Sequence, residues 1–149
     1  MQNEQVDPLL LRTHCAFFVS TSEATMRLLV VDDNARMRAL MIGVLRRSLT
    51  GLGEVYECGE GGEAVGMYRE RHPDWTLMDV QMPGMDGLEA ARHIRAVCPE
   101  ARIIMVSQYG DPAYRDEAAQ IGVVAYVLKE DVGDIPAIIL QNTPEVHQI

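Results

Sequence analysis

Between Met26 and Gln141, short apolar runs alternate with stretches of helical spacing, and this alternation limits the folds open to the chain more than any other feature. The first run, Leu28-Leu29-Val30-Val31, is apolar at every position and stops at Asp32-Asp33, which predicts a strand buried on both faces. Met37, Leu40, Met41, Val44 and Leu45 follow at the i, i+3, i+4, i+7, i+8 spacing of one helix face. Gly51 and Gly53 then break the pattern. The unit recurs as a strand over Val55–Cys58 with a helix to about Arg71, and a strand over Trp75–Asp79 with a helix from Leu88 to Cys98. A strand over Ile103–Ser107 with a helix to Ile121 comes next, then a strand over Ala125–Leu128 and a short helix from about Asp134 to Gln141. Five strands alternating with helices predict an α/β fold, a doubly wound parallel sheet covered on both faces by right-handed crossovers.

Composition narrows the partners. With 149 residues, 48% of them hydrophobic and 23% charged, the chain is long and apolar enough to close a single core. No run of about 18 apolar residues occurs, so no membrane span is predicted. The formal net charge of -9 repels a phosphate backbone and argues against direct nucleic-acid binding. Cys15, Cys58 and Cys98 are odd in number and far apart, which predicts buried thiols in a reducing cytoplasm instead of disulfides or a CxxC metal pair. The apolar stretch from Leu9 to Val19 is interrupted by Arg12 and His14 and preceded by Glu4 and Asp7, where a secretory signal would be basic. Residues 1–25 therefore read as a loose arm without fixed structure, not as a docked helix burying Phe17 and Phe18. Residues 142–149 form a tail too short for a second domain.

Four of the five strands end in a chemically distinctive residue: Asp32 and Asp33 after the first, Asp79 at the third, Ser107 at the fourth and Lys129 after the fifth. In a doubly wound sheet these carboxyl ends share one rim, and the ligand crevice opens where the strand order reverses, between strands one and three. Three carboxylates brought together repel one another and gain proton affinity unless a cation sits among them. Oxygen donors with no His or Cys suit a hard divalent ion, Mg²⁺ or Mn²⁺. Lys129 is the one lysine among 13 lysines and arginines. Ordinary surface charge here is carried by Arg, so a lone Lys on this rim reads as a compact point charge for a phosphoryl oxygen.

At these residues the chain resembles the receiver domain of two-component response regulators. The resemblance covers about residues 26–141 and rests on Leu29-Val30-Val31-Asp32-Asp33, on the stretch from Asp74 through Asp79 and Gln81-Met82-Pro83-Gly84 to Gly87, on Val106-Ser107 and on Ala125-Tyr126-Val127-Leu128-Lys129. It implies a flavodoxin-like three-layer sandwich with strand order 2-1-3-4-5, as in stand-alone chemotaxis regulators. It also implies that Asp79 is the phosphoacceptor, that Asp33 and Asp79 bind Mg²⁺ (or Mn²⁺) with the backbone carbonyl of Gln81, and that Asp32 acts mostly through water. Ser107 and Lys129 would each bond a phosphoryl oxygen, and Tyr126 would be the aromatic switch residue that turns inward with Ser107. The implied donor is a sensor histidine kinase or a histidine phosphotransfer protein. The output is a downstream protein target, unnamed by the sequence, that meets the surface around the fourth helix and fifth strand. A phosphorylation-dependent homodimer stays open. Intrinsic phosphoryl uptake and autodephosphorylation would be the only chemistry, so the chain reads as a signalling domain, not an enzyme.

One departure is Glu130, where the family often has Pro after a cis bond; a cis bond before a non-proline residue costs about 3 kcal/mol, so this turn is either trans or strained. Lys129-Glu130-Asp131 looks more like receivers that precede helix-turn-helix DNA-binding domains, which leaves a fragment of such a regulator as an alternative. A second alternative is a haloacid-dehalogenase-like phosphatase, but its D-x-D pattern lacks a second acid here, since Asn34 and Ala35 follow the pair. Gly59-Glu60-Gly61-Gly62-Glu63-Ala64 formally matches a dinucleotide-binding turn. Glu60 and Glu63 would oppose a pyrophosphate there, and the match follows the second strand, so it reads as a helix start.

Overall fold

The structure is a computed structural model that describes residues 25–143. The arm expected over 1–25 lies outside the described residues except for Thr25, as does Cys15, and so does the tail beyond Thr143. In chain order the elements are β1 (Met26–Val31), α1 (Ala35–Ser48), β2 (Leu52–Cys58), α2 (Gly61–Arg71), β3 (Trp75–Asp79), α3 (Gly87–Val97), β4 (Ile103–Ser107), α4 (Pro112–Ile121), β5 (Ala125–Leu128), a 3₁₀ segment (Lys129–Asp134) and α5 (Ile135–Gln141). All strand pairs are parallel and the order is β2-β1-β3-β4-β5, as expected.

Side chains alternate along each strand and so feed two cores. Leu28, Val30, Trp75, Leu77, Ile104 and Val106 face one side, where Met41 and Leu45 of α1 and Ile135 and Ile139 of α5 cover them. Leu29, Val31, Met78, Ile103 and Met105 face the other, beneath Tyr68 of α2, Leu88 and Ile94 of α3 and Ala118 of α4. Every residue of β3 and β4 is buried, which is why those strands read as largely apolar runs in the sequence. Cys58 and Cys98 are buried free thiols, as expected.

Three boundaries differ from the sequence reading. Strand β2 begins at Leu52 and not at Val55, because it lies at the sheet edge, where Gly53 and the exposed Glu54 interrupt any apolar run. Strand β1 begins at Met26, whose N–H donates to the Gly51 carbonyl at 2.7 Å. Before α5 the chain first makes the 3₁₀ segment that starts at Lys129, and the described residues contain no cis peptide bond, so the turn at Glu130 is trans. The glycine-rich match at Gly59 is indeed the start of a helix, α2.

Helix starts follow ordinary capping chemistry. The Asn34 side chain accepts from the N–H groups of Arg36 and Met37, that of Asp86 from Glu89, and that of Asp111 from Ala113 just before Pro112. Past α5 the chain stays packed on the sheet: Thr143 is buried, and its Oγ1 accepts from Trp75 Nε1 at 2.9 Å.

One glycine is required by close approach. A Cβ on Gly87 would lie 1.7 Å from the Asp79 carbonyl oxygen and 2.7 Å from its carbonyl carbon, while the Gly87 N–H donates to the Val80 carbonyl at 2.8 Å. The start of α3 thus rests on the backbone of the third strand's last residue. Gly87→Ala should force those two backbones apart and destabilise the fold by about 1–3 kcal/mol, as overpacking does. Thermal unfolding followed by circular dichroism should show Tm lower by several degrees; an unchanged Tm would mean that this contact is not tight.

Candidate functional site

Strand register carries the rim residues together. Val31 pairs with Met78, so one residue further Asp32 lies beside Asp79. Asp79 pairs with Val106, which sets Ser107 one step on, and Ser107 pairs with Leu128, just before Lys129. Asp33, Asp79, Gln81, Ser107 and Lys129 line one crevice, together with Asn34, Gln108 and Tyr109, three residues that the sequence reading had not singled out. It opens above the reversal of strand order between β1 and β3, where such sheets bind ligands.

Asp32 is fully buried and Asp79 is 4% exposed, whereas Asp33 reaches solvent. Asp32 is held at several atoms. Its N–H donates to the Cys58 carbonyl at 3.1 Å, its Oδ1 accepts from the Asn34 N–H at 2.8 Å, and its carbonyl accepts from Arg38 Nη1 at 2.6 Å. Its Oδ2 is paired with Lys129 Nζ at 2.9 Å. The same ammonium donates to Asp79 Oδ2 at 3.4 Å. Arg38 was missed because a polar residue on a helix carries no pattern signal.

The charges perturb one another in the expected directions. Burial, then the neighbouring Asp32 charge, pushes Asp79 up from its ordinary 3.8 to about 6; Lys129 opposes the shift and Asp33 adds to it. Burial works to lower Lys129, but its contacts with Asp32 and Asp79 outweigh burial and leave it above its ordinary value. One carboxylate oxygen from each of Asp32, Asp33 and Asp79 lies within 4.8 Å of the others. An oxygen-only donor set, crowded with negative charge and with one oxygen of each acid close to the others, fits a hard divalent cation.

Ser107 and Tyr126 are linked through one residue. The Ser107 Oγ accepts from the Tyr109 N–H at 3.1 Å, and the Tyr126 hydroxyl donates to the Tyr109 carbonyl at 2.6 Å. The Tyr126 ring packs against the core beneath α4, with the Arg115 guanidinium 4.8 Å from its centroid. The Gln81 side-chain amide donates to the Tyr114 hydroxyl at 3.1 Å and so ties the loop after β3 to α4.

Comparison with known proteins agrees with this geometry. Residues 28–139 match the model of the response regulator receiver domain family. The chain is similar to the chemotaxis protein CheY of Bacillus subtilis, with 38% identity over 103 residues, which is 69% of this chain and 84% of that protein. Among solved structures it is similar to a LuxR-family two-component response regulator from Aurantimonas, at 35% identity and TM-score 0.70, covering 78% of this chain and 86% of that one. A further similarity is to the receiver domain of a histidine kinase from Arabidopsis thaliana complexed with Mg²⁺, at 32% identity and TM-score 0.66, covering 78% and 90% of the two chains.

The raised Asp79 pKa has a sign that can be read in stability. The folded carboxyl holds its proton to about pH 6 while the unfolded one releases it near 4, so stability falls as pH rises through that window. Asp79→Asn removes the buried charge. In EDTA above pH 7 it should therefore be more stable than the parent by about 1–2 kcal/mol, a figure reduced from the full shift because the crevice is open to water. Below pH 4 the two should unfold alike. Urea titrations at both pH values check this, and a variant less stable than the parent at high pH would contradict it.

Proposed function

Because the chain belongs to the response regulator receiver domain family, we propose that it takes a phosphoryl group onto Asp79 from a phosphohistidine of a sensor histidine kinase or a histidine phosphotransfer protein, and then changes what its surface binds. The observation that carries this reading is the arrangement at Asp79, a nearly buried carboxylate on the crevice wall with one ammonium 3.4 Å away and two further acids beside it.

With its pKa at about 6, Asp79 is mostly ionised above pH 7 and available as a nucleophile. A carboxylate oxygen attacks phosphorus in line, the P–N bond to the donor imidazole breaks, and the imidazole leaves with that electron pair; the product is an acyl phosphate. Lys129, already beside Asp79, receives one phosphoryl oxygen. Ser107 turns its hydroxyl to another. Asp33 and Asp79, with the Gln81 carbonyl, are the residues that would hold Mg²⁺ or Mn²⁺, with Asp32 acting through water. The bound ion would supply neutralisation of the charge gathered on the phosphoryl oxygens.

Ser107 cannot turn without giving up the Tyr109 N–H, and Tyr126 cannot turn inward without giving up the Tyr109 carbonyl. The two moves are coupled through that residue, which supports Tyr126 as the switch and the β4–α4 loop as the moving element. Water later removes the phosphoryl group, so uptake and autodephosphorylation are the chemistry this signalling domain performs. Its output would be a protein target met on the surface of α4 and β5, or a second copy of the chain. No helix among the described residues is long and apolar enough to cross a membrane, which is compatible with work in the cytoplasm. The phosphatase alternative gains no support: the residue after the acid pair, Asn34, uses its side chain to cap α1.

Acetyl phosphate with Mg²⁺ or Mn²⁺ should add one phosphoryl group to the intact mass, EDTA should abolish the addition, and Asp79→Asn should not be labelled. Labelling of that variant, or labelling without metal, would remove the central claim.

Lys129→Arg keeps the charge but replaces a compact ammonium with a planar fork. It should still be labelled on Asp79, yet show a much smaller change at Tyr126 when the phosphoryl mimic beryllofluoride is followed by NMR. A full response in the Arg variant would reduce Lys129 to a generic counter-charge.

A further inference from the structure

Arg38 stands outside the crevice, near the start of α1, and no step of the proposed chemistry uses it. Its Nη1 donates to the Asp32 backbone carbonyl at 2.6 Å, and its Nε donates to Glu57 Oε1 at 3.1 Å. Glu57 belongs to β2 and pairs in register with Val30, so the guanidinium spans from the helix to the carboxyl ends of two neighbouring strands. It is also sheltered: the Arg38 side chain is 20% exposed.

The carbonyl that Arg38 holds belongs to the peptide joining Asp32 to Asp33. A peptide unit is a rigid plane, so fixing its oxygen restrains the backbone from which both acids project. On the other side of Asp32 the Cys58 carbonyl holds its N–H, and the Asn34 N–H holds its Oδ1. Among the described residues no backbone hydrogen bond joins Asp33 to β2, and the guanidinium links its peptide oxygen to Glu57 of that strand.

We propose that Arg38 is a positioning residue for the acid pair: by gripping the carbonyl between Asp32 and Asp33, with Glu57 steadying its guanidinium, it sets the placement of the carboxylates that receive the divalent cation. The inference rests on the metal reading above. Outer contacts of this kind are worth about tenfold or more in metal affinity. A bystander guanidinium has the opposite sign, because a positive charge close to a cation site weakens binding and its removal strengthens it.

Direct Mn²⁺ titration of the full chain, with free Mn²⁺ followed by electron paramagnetic resonance, separates the two. Arg38→Met has similar length and no charge, and should bind Mn²⁺ about tenfold more weakly than the parent. Arg38→Gln, too short to reach the Asp32 carbonyl, should lose affinity in the same direction and stands in if the Met variant does not fold. Arg38→Lys keeps the charge and one compact donor and should recover part of the loss. Equal or tighter Mn²⁺ binding by the Met or Gln variant overturns the proposal, as does a fall in melting temperature in EDTA with no change in affinity. A parent chain that takes up no Mn²⁺ overturns the metal reading and this inference together, and the same titration distinguishes that result from failure of the Arg38 role alone.

Discussion

The carboxylates of Asp32 and Asp79 are almost wholly withdrawn from water at the ends of adjacent strands, and a single ammonium group, that of Lys129, touches both. Burial, and after it the neighbouring Asp32 charge, favours a proton on Asp79 and raises its pKa. Lys129 limits it from a position two strands away. Its long stem spans the width of β4 to reach Asp79 of β3 and Asp32 at the end of β1. The arrangement depends on the whole sheet: shifting β3 or β5 by one residue would turn Asp79 or Lys129 to the opposite face of the sheet.

The rest of the molecule keeps that register fixed. Both faces of the sheet are sealed by separate cores, one beneath α1 and α5 and one beneath α2, α3 and α4. Well-packed layers of this sort do not deform continuously. The site therefore sits on a rigid floor, with Gly87 pressing the start of α3 onto the main chain of Asp79. Tyr109 is held through its N–H by Ser107 and through its carbonyl by Tyr126, and so joins the crevice wall to β5. Gln81 supplies a second tie, to α4 through Tyr114.

Much of this was legible in the residues themselves. Strands β3 and β4 fall where their apolar runs lie, because a strand buried on both faces must be largely apolar, and the short apolar run of half-buried β5 marks that strand as well. Edge strand β2 was read three residues short, since its outer face is solvated and a glycine and a glutamate stand in its first half. The rim residues Asp32, Asp33, Asp79, Ser107 and Lys129 were found because charged or hydroxyl groups ending apolar runs have few structural reasons to be there. Tyr109, Tyr114 and Arg38 carried no such mark: each is a polar or aromatic residue in a loop or on a helix face, where such residues are common.

Pattern and chemistry along the chain by themselves determined that five strands and their helices form a doubly wound sheet, and which side chains stand at its carboxyl ends. Whether Lys129 reaches both buried acids, that Asp32 is anchored by Arg38 as well as by Cys58 of the neighbouring strand, and that one residue, Tyr109, joins Ser107 to Tyr126 were decided by the tertiary structure alone. The physical reason is range. Strand and helix periodicity and capping act over a few residues and are written locally, whereas these contacts join groups brought near one another by strand order, register and side-chain reach, which no local stretch of sequence encodes.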